Sequence, residues 1–261
     1  LIASAAVLTP LLNAQAGSGS PAASPVSALN VNETRPAPPP PPKPAALTPE
    51  KRGDIFMARK MYRDAIELYK QGISTNAVLS NKIGIAYHQL GQLDLARKSY
   101  EKAIKFDPKY PEAINNLGTV FYAARKYGKA VKQYNKALKL SPNSASIYSN
   151  LGTAHFARKK YKRAMEAYDK ALSIDPEVFE HRGSHGVLLQ ERSVEERAKF
   201  HFFLAKTYAK AGMVDRVLLY MRKALEEGFK EKNRFVEDPE FAQLQENPEF
   251  QQLLAMEVRV L

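Results

Sequence analysis

Residues 111–144 read PEAINNLGTVFYAARKYGKAVKQYNKALKLSPNS, and the blocks on either side, 77–110 and 145–178, repeat that line with most of its landmarks in register. Gly84, Gly118 and Gly152 stand 34 residues apart, as do Ala96, Ala130 and Ala164, Ala103, Ala137 and Ala171, and Pro108, Pro142 and Pro176. Ile83, Leu117 and Leu151 precede the glycines, Tyr87 and Phe121 follow three later, and Tyr100, Tyr134 and Tyr168 come four after the first alanine. A fixed period of this length signals units that stack, because one such unit cannot bury its own apolar face.

Within a unit, the first half places an aliphatic residue, Gly and an aromatic on one helical face, and the second half places Ala, Tyr and Ala at i, i+4 and i+7. The pattern predicts a helical hairpin. Gly118 and Ala130 are expected to bring its two helices close together, with Phe121 and Tyr134 filling the gaps beside them. Asp107-Pro108, Ser141-Pro142 and Asp175-Pro176 are expected to stop each second helix, since proline pushes the preceding residue out of the α region.

At these residues the chain resembles the tetratricopeptide repeat family, with its W-x2-L-G-x2-Y…A-x3-F…P pattern. The match in 111–144 runs through Ile114, Leu117, Gly118, Phe121, Ala130, Tyr134, Ala137 and Pro142. Ser80 departs from it where a large residue is usual, and His155 stands where the other copies have Tyr87 and Phe121. The resemblance implies an all-α, right-handed solenoid of about five helical hairpins with a C-terminal helical cap.

Outward from this core, 48–76 forms a degenerate first copy. Gly53, Phe56, Ala65 and Tyr69 keep their places, Arg52 replaces the usual Leu, and the step from Ala65 to Ala96 is 31 rather than 34. Thr48 and Pro49 are suited to cap and begin its first helix. Repeats two to four occupy 77–110, 111–144 and 145–178. Residues 179–193 read as an inserted loop. Ser193-Val194-Glu195-Glu196 is a capping box that opens a fifth repeat at 194–228, with Leu204, Ala205, Tyr208, Gly212 and Ala224 on pattern and Val217 and Met221 off it. The tail, 229–261, holds Asp238-Pro239-Glu240-Phe241 and Asn247-Pro248-Glu249-Phe250, two helix starts expected to cover the open end of the array.

Leu1 to Leu12 is largely apolar and is followed by Ala14-Gln15-Ala16, a small-x-small pattern of the kind signal peptidase reads. Residues 1–16 are therefore expected to be part of a secretory signal. Export to the periplasm or medium follows, with retention of an N-terminal anchor as the alternative and no integral membrane segment in the mature chain. Residues 17–47, rich in Gly, Ser, Ala and Pro with a run from Pro38 to Pro42, read as a spacer.

The 261 residues are 44% hydrophobic and 25% charged, an ordinary globular balance, and contain no cysteine. That excludes disulfides, thiolate nucleophiles and Cys-based zinc sites. Ser99-Tyr100-Glu101-Lys102 fits S-x-x-K but lies inside a repeat helix, and His181 and His185 flank a glycine that breaks helical spacing. No phosphate loop or H-E-x-x-H is present. No enzyme activity, metal, cofactor or small-molecule substrate is expected.

Binding is what the family resemblance implies, through a groove lined by the first helices. It points to Asn81, Ile85 and His88 in repeat two, Asn115, Asn116, Thr119 and Tyr122 in repeat three, and Ser149, Asn150, Thr153 and Phe156 in repeat four. Asn116 and Asn150 hold the place at which members with an asparagine ladder pair with peptide backbone, a task for which an amide suits as both donor and acceptor. Pairing between neighbouring helices is the other use open to them. The carboxylate clamp of chaperone-binding members is not matched, since Ile85, Ser146 and Asn150 stand where it requires Asn, Lys and Arg. The expected partner is an extended internal segment of a protein. The formal charge of +12 allows a polyanion, polysaccharide or nucleic acid, as an alternative, bound by the convex second helices where Lys102, Lys136 and Lys170 recur.

Overall fold

A computed structural model describes residues 47–72, 75–180 and 193–256. The segments that carry the expected signal, most of the spacer, and His181 and His185 lie outside them. Among the described residues the regular structure is entirely helical. Five hairpins follow in chain order: α1 (Pro49–Ala58) with α2 (Tyr62–Lys70), α3 (Ala77–Gln89) with α4 (Leu93–Phe106), α5 (Pro111–Ala123) with α6 (Tyr127–Leu140), α7 (Ala145–Ala157) with α8 (Tyr161–Ile174), and α9 (Val194–Lys210) with α10 (Val214–Glu226). Each of the first four packs its second helix on the first helix of the next or, for α8, on α9, which gives the stacked arrangement of a solenoid.

The helix ends obey local chemistry. The Thr48 hydroxyl accepts from Lys51 N–H at 3.3 Å, Ser193 from Glu196 N–H at 3.2 Å, and Pro49 occupies the first turn of α1. Asp107, Ser141 and Asp175, each before a proline, leave the helical region with ψ of 97°, 77° and 103°. Every first helix closes with paired backbone hydrogen bonds of the Schellman type, such as Arg125 N–H to the Tyr122 carbonyl and Lys126 N–H to the Phe121 carbonyl, both 2.8 Å.

Inside a hairpin the glycine receives a tyrosine ring, which corrects the expected Gly118–Ala130 contact. A Cβ on Gly84, Gly118 or Gly152 would lie 2.5, 2.6 or 2.3 Å from Cε1 of Tyr100, Tyr134 or Tyr168. Gly53 and Tyr69 repeat the relation in the first hairpin at 2.5 Å. The alanines are buried beside this joint, but the notch that only glycine leaves is filled by the ring sixteen residues on. In the fifth hairpin both partners change together: Ala205 takes the glycine place, Met221 the tyrosine place, and both are fully buried. A methyl at 205 leaves no room for a ring, and an unbranched thioether fills what remains.

Beyond α10 come α11 (Arg234–Glu237), a 3₁₀ helix (Pro239–Leu244) and α12 (Pro248–Ala255). Phe235, Phe241 and Phe250 are fully buried, and Phe202 of α9 lies 5.1 Å from Phe235 and 6.0 Å from Phe241, ring centre to ring centre. Burial of three such rings stabilises the end of the array by about 1.5–3 kcal/mol each. Asn247 caps α12 as expected, accepting from Phe250 N–H at 3.0 Å. Asp238 does not cap the 3₁₀ helix. Its carboxylate is held instead by Lys206 of α9 at 2.8 Å and Arg234 at 3.0 Å, because a half-buried carboxylate gains more from two cations than from one N–H. Burial works against ionisation of Asp238, and the two cations outweigh it, so its carboxyl sits below the usual carboxylate range.

Candidate functional site

The first helices α3, α5 and α7 carry all eleven residues expected to line a groove. Their amides form one connected row. Asn116 Nδ2 donates to Asn81 Oδ1 at 3.0 Å, Asn150 Nδ2 donates to Asn115 Oδ1 at 3.0 Å, and Asn115 Nδ2 donates to Asn116 Oδ1 at 3.3 Å. Asn81 Nδ2 ends the row on the Tyr110 hydroxyl at 3.3 Å.

The register is the same at each step, from one first helix to the following position in the next repeat. One repeat earlier the same contact is ionic: Lys82 Nζ lies 2.8 Å from both Glu50 and Asp54 of α1. Burial would lower the Lys82 pKa, but the two carboxylates raise it above its ordinary value. One repeat later the row stops, because Phe203 stands where the next amide would be. There the contact is aromatic, with Phe203 and Phe200 of α9 lying 5.8 and 5.5 Å from Phe156.

The expected groove residues therefore differ in access. Asn115, Asn116, Thr119, Ile85 and His88 are half-buried. Asn81 and Asn150 are only 5% and 6% exposed, while Ser149 and Thr153 are buried. The Thr119 and Thr153 hydroxyls accept from Tyr134 and Tyr168 at 3.3 and 3.4 Å, the service Asp54 gives Tyr69 at 2.7 Å. Ile85 occupies this place beside Tyr100 and brings no hydroxyl. Tyr122 and Phe156 are buried in ring contacts, Tyr122 against Tyr127 at 5.1 Å and Phe156 against α9. The accessible polar part of the face thus lies on α3 and α5, and at α7 it passes into the core shared with the fifth hairpin.

His155, at the Tyr87 and Phe121 place, is buried, and its Nδ1 has no hydrogen-bond partner. Burial, with Arg158 and Arg163 adding to it, lowers its pKa. Cavities of about 340 and 570 Å³ lie at the far ends of α8 and α9 and under the 3₁₀ helix, away from the amide row. Among the described residues no group of three or more His, Asp or Glu side chains comes together as a metal site, and no helix is long and apolar enough to cross a membrane.

Three features escaped the sequence reading. The glycine–tyrosine joint was visible as a constant offset of sixteen between two residues that each step by 34. The Lys82–Glu50–Asp54 tie was not visible, because the short first step hides the register of the first copy. The Lys206 clasp joins residues 32 apart outside any period, and no local pattern marks it.

Comparison with known proteins agrees with the repeat pattern. The profile described as "TPR repeat" matches residues 84–125 and 118–157, and that described as "Tetratricopeptide repeat" matches 145–178. A 74-residue stretch is 38% identical to the uncharacterized protein ycf37 of Guillardia theta, covering 25% of this chain and 42% of that one. An 81-residue stretch is 38% identical to the heat-shock protein cognate co-chaperone sgt12 of Aspergillus fumigatus, covering 28% of this chain and 24% of that one. The chain thus spans less than half the length of these relatives. The crystal structure of MamA aligns over 67% of this chain and 93% of its own at 24% identity, with a TM-score of 0.47.

Proposed function

From the premise that this chain carries tetratricopeptide repeats, we propose that it is a non-catalytic scaffold that binds an extended segment of a partner protein along the first helices of repeats two and three. The observation behind this reading is the half-buried pair Asn115 and Asn116. In the row, Asn116 donates one N–H and accepts one bond, so one N–H and one lone pair remain, the complement of a peptide unit. The pairing to Asn81 fixes the amide in place, which reduces the entropy lost when a peptide binds.

Ile85, His88 and Thr119 surround this pair and supply apolar and polar contacts of moderate size. The groove is shorter than the family resemblance alone implies, because Tyr122, Ser149, Asn150, Thr153 and Phe156 are committed to packing. Export of the chain remains part of the proposal and rests on Leu1–Leu12 and Ala14-Gln15-Ala16 alone.

Peptide display against the chain tests the reading. Selected peptides should bind five- to tenfold more weakly to Asn116→Ala, the scale of one hydrogen bond at ~1 kcal/mol. Replacing Lys102, Lys136 and Lys170 by Ala should leave their affinity unchanged. Indifference to Asn116→Ala together with loss in the lysine variant would reject the groove in favour of polyanion binding.

A further inference from the structure

From Ala113 to Met165 the chain contains no Asp or Glu. Arg125, Lys126, Lys129, Lys132, Lys136 and Lys139 belong to the third repeat, and Arg158, Lys159, Lys160, Lys162 and Arg163 to the fourth. All eleven are exposed, and among the described residues none is ion-paired. Elsewhere several acids are matched: Glu50 and Asp54 by Lys82, Asp169 by Lys210, Glu177 and Glu180 by Arg216, Glu227 by Arg197. These eleven cations, with no acid among them, leave the block 113–165 strongly basic in a chain whose formal net charge is +12.

A second observation covers the same two repeats, and the first as well. The turn from first to second helix requires a left-handed residue, and Gly91 and Gly212 supply it in the second and fifth hairpins at φ of 71° and 72°. In the third and fourth the residue is Arg125 at 56° and Lys159 at 57°; Lys60 does the same in the first. A side chain in this conformation is strained, and glycine avoids that strain. Packing does not offset it, for a Cβ at Gly91 or Gly212 would meet nothing within 4 Å. Strain retained at an exposed position points to a use for the side chain.

We propose that the edge formed by the turns Arg125–Lys126 and Arg158–Lys160, continued along the exposed lysine stripe of α6, binds an acidic polypeptide segment. Lys129, Lys132, Lys136 and Lys139 lie at i, i+3, i+7 and i+10 on one face of a 14-residue helix. That track is about 15 Å long at 1.5 Å per residue, enough for about four extended residues of a partner. Nucleic acid fits less well, since Phe121, Tyr127, Tyr148 and Tyr161 are half-buried against the core and offer no exposed stacking platform. A membrane fits less well too, because a polybasic patch needs a second anchor and, in this block, Leu140 is the one exposed large apolar side chain. The inference rests on the scaffold reading for the kind of partner, but on different residues.

Fluorescent octaglutamate, titrated at 50 and 150 mM salt, tests it. Arg125→Gly with Lys159→Gly should weaken octaglutamate at least fivefold while raising Tm, because the strain leaves with the charge. Replacing the exposed Lys98, Lys102 and Lys105 of α4 by Gln should change affinity less than twofold. The edge variant should also keep full affinity for peptides selected on the first-helix face, so that failure of one site is not read as failure of the other. Equal losses in the two charge variants, or an edge variant that binds octaglutamate as the parent does, overturn the proposal. Tighter binding of heparin, single-stranded DNA or phosphatidylserine vesicles than of octaglutamate at equal salt overturns it as well.

Discussion

Gly118 and Tyr134 form one structural unit: a Cβ on the glycine would stand 2.6 Å from Cε1 of a ring that is fully buried. Gly118→Ala should therefore destabilise the chain by ~1–3 kcal/mol through overpacking, read as a shift in urea midpoint. The Ala205–Met221 pair supplies the matching remedy. Adding Tyr134→Met to Gly118→Ala should recover at least half the loss, and a double-mutant cycle with no coupling would falsify the joint. Lys136→Ala, on the exposed face, should change stability very little.

The amide row makes a different demand. Asn150→Ala removes the donor to Asn115 at a nearly buried position, so it should lower stability by ~1–3 kcal/mol. Binding comparisons on this row consequently need conditions in which parent and variant are both folded. An Asn150→Ala protein that melts with the parent would show that the row contributes nothing to holding repeats three and four together.

His155 couples stability to pH. Its folded pKa lies below the ordinary imidazole value of 6.5 because burial, then Arg158 and Arg163, disfavour the imidazolium. Below about pH 6.5 the unfolded chain binds the proton more readily, so stability is complete above that pH and declines as pH falls toward the folded pKa. His155→Phe, the residue that the third repeat already uses at Phe121, should lose less stability between pH 7.5 and 5.5 than the parent. Parallel denaturation curves for the two proteins over that range would remove His155 from the account.

The cap hangs on Lys206. Its ammonium lies 2.8 Å from Asp238 and 3.0 Å from Glu240, and Lys206→Met leaves both half-buried carboxylates short of a cation. A loss of ~1–3 kcal/mol is expected. Hydrogen exchange should rise first in residues 234–255, since the fifth hairpin keeps its own buried ring contacts. Uniform protection across the chain would mean that the cap and repeats open together.

Export predicts that protein recovered from its native host begins at Gly17. Amino-terminal sequencing decides between this and a retained anchor, which would leave Leu1 or an upstream residue in place.

The helices and their limits were legible in the sequence because capping and proline chemistry act over a few residues. Thr48, Ser193 and Asn247 cap as read, and the residues before Pro108, Pro142 and Pro176 leave the helix as read. Asp238 was misread for the opposite reason: its partners Lys206 and Arg234 are brought to it by packing of the cap, which no local rule anticipates. Phe156 holds the same repeat place as Tyr122, and periodicity treats the two alike. Yet Phe156 packs against α9, a helix that follows the insertion in the sequence.

The sequence by itself determined the repeat, its hairpin form and its order, since a 34-residue period of small, aromatic and proline positions admits one kind of stacked helical unit. It also determined the acid-free block, because charge is carried in composition. Tertiary structure alone decided which side chains meet. It joined Asn116 and Asn150 into a row between helices, gave the glycine notch to tyrosine rather than alanine, and buried the α7 end of the face under the fifth hairpin. The physical reason is that a period fixes each residue's place within its own unit, whereas partners are set by the offset and angle between units.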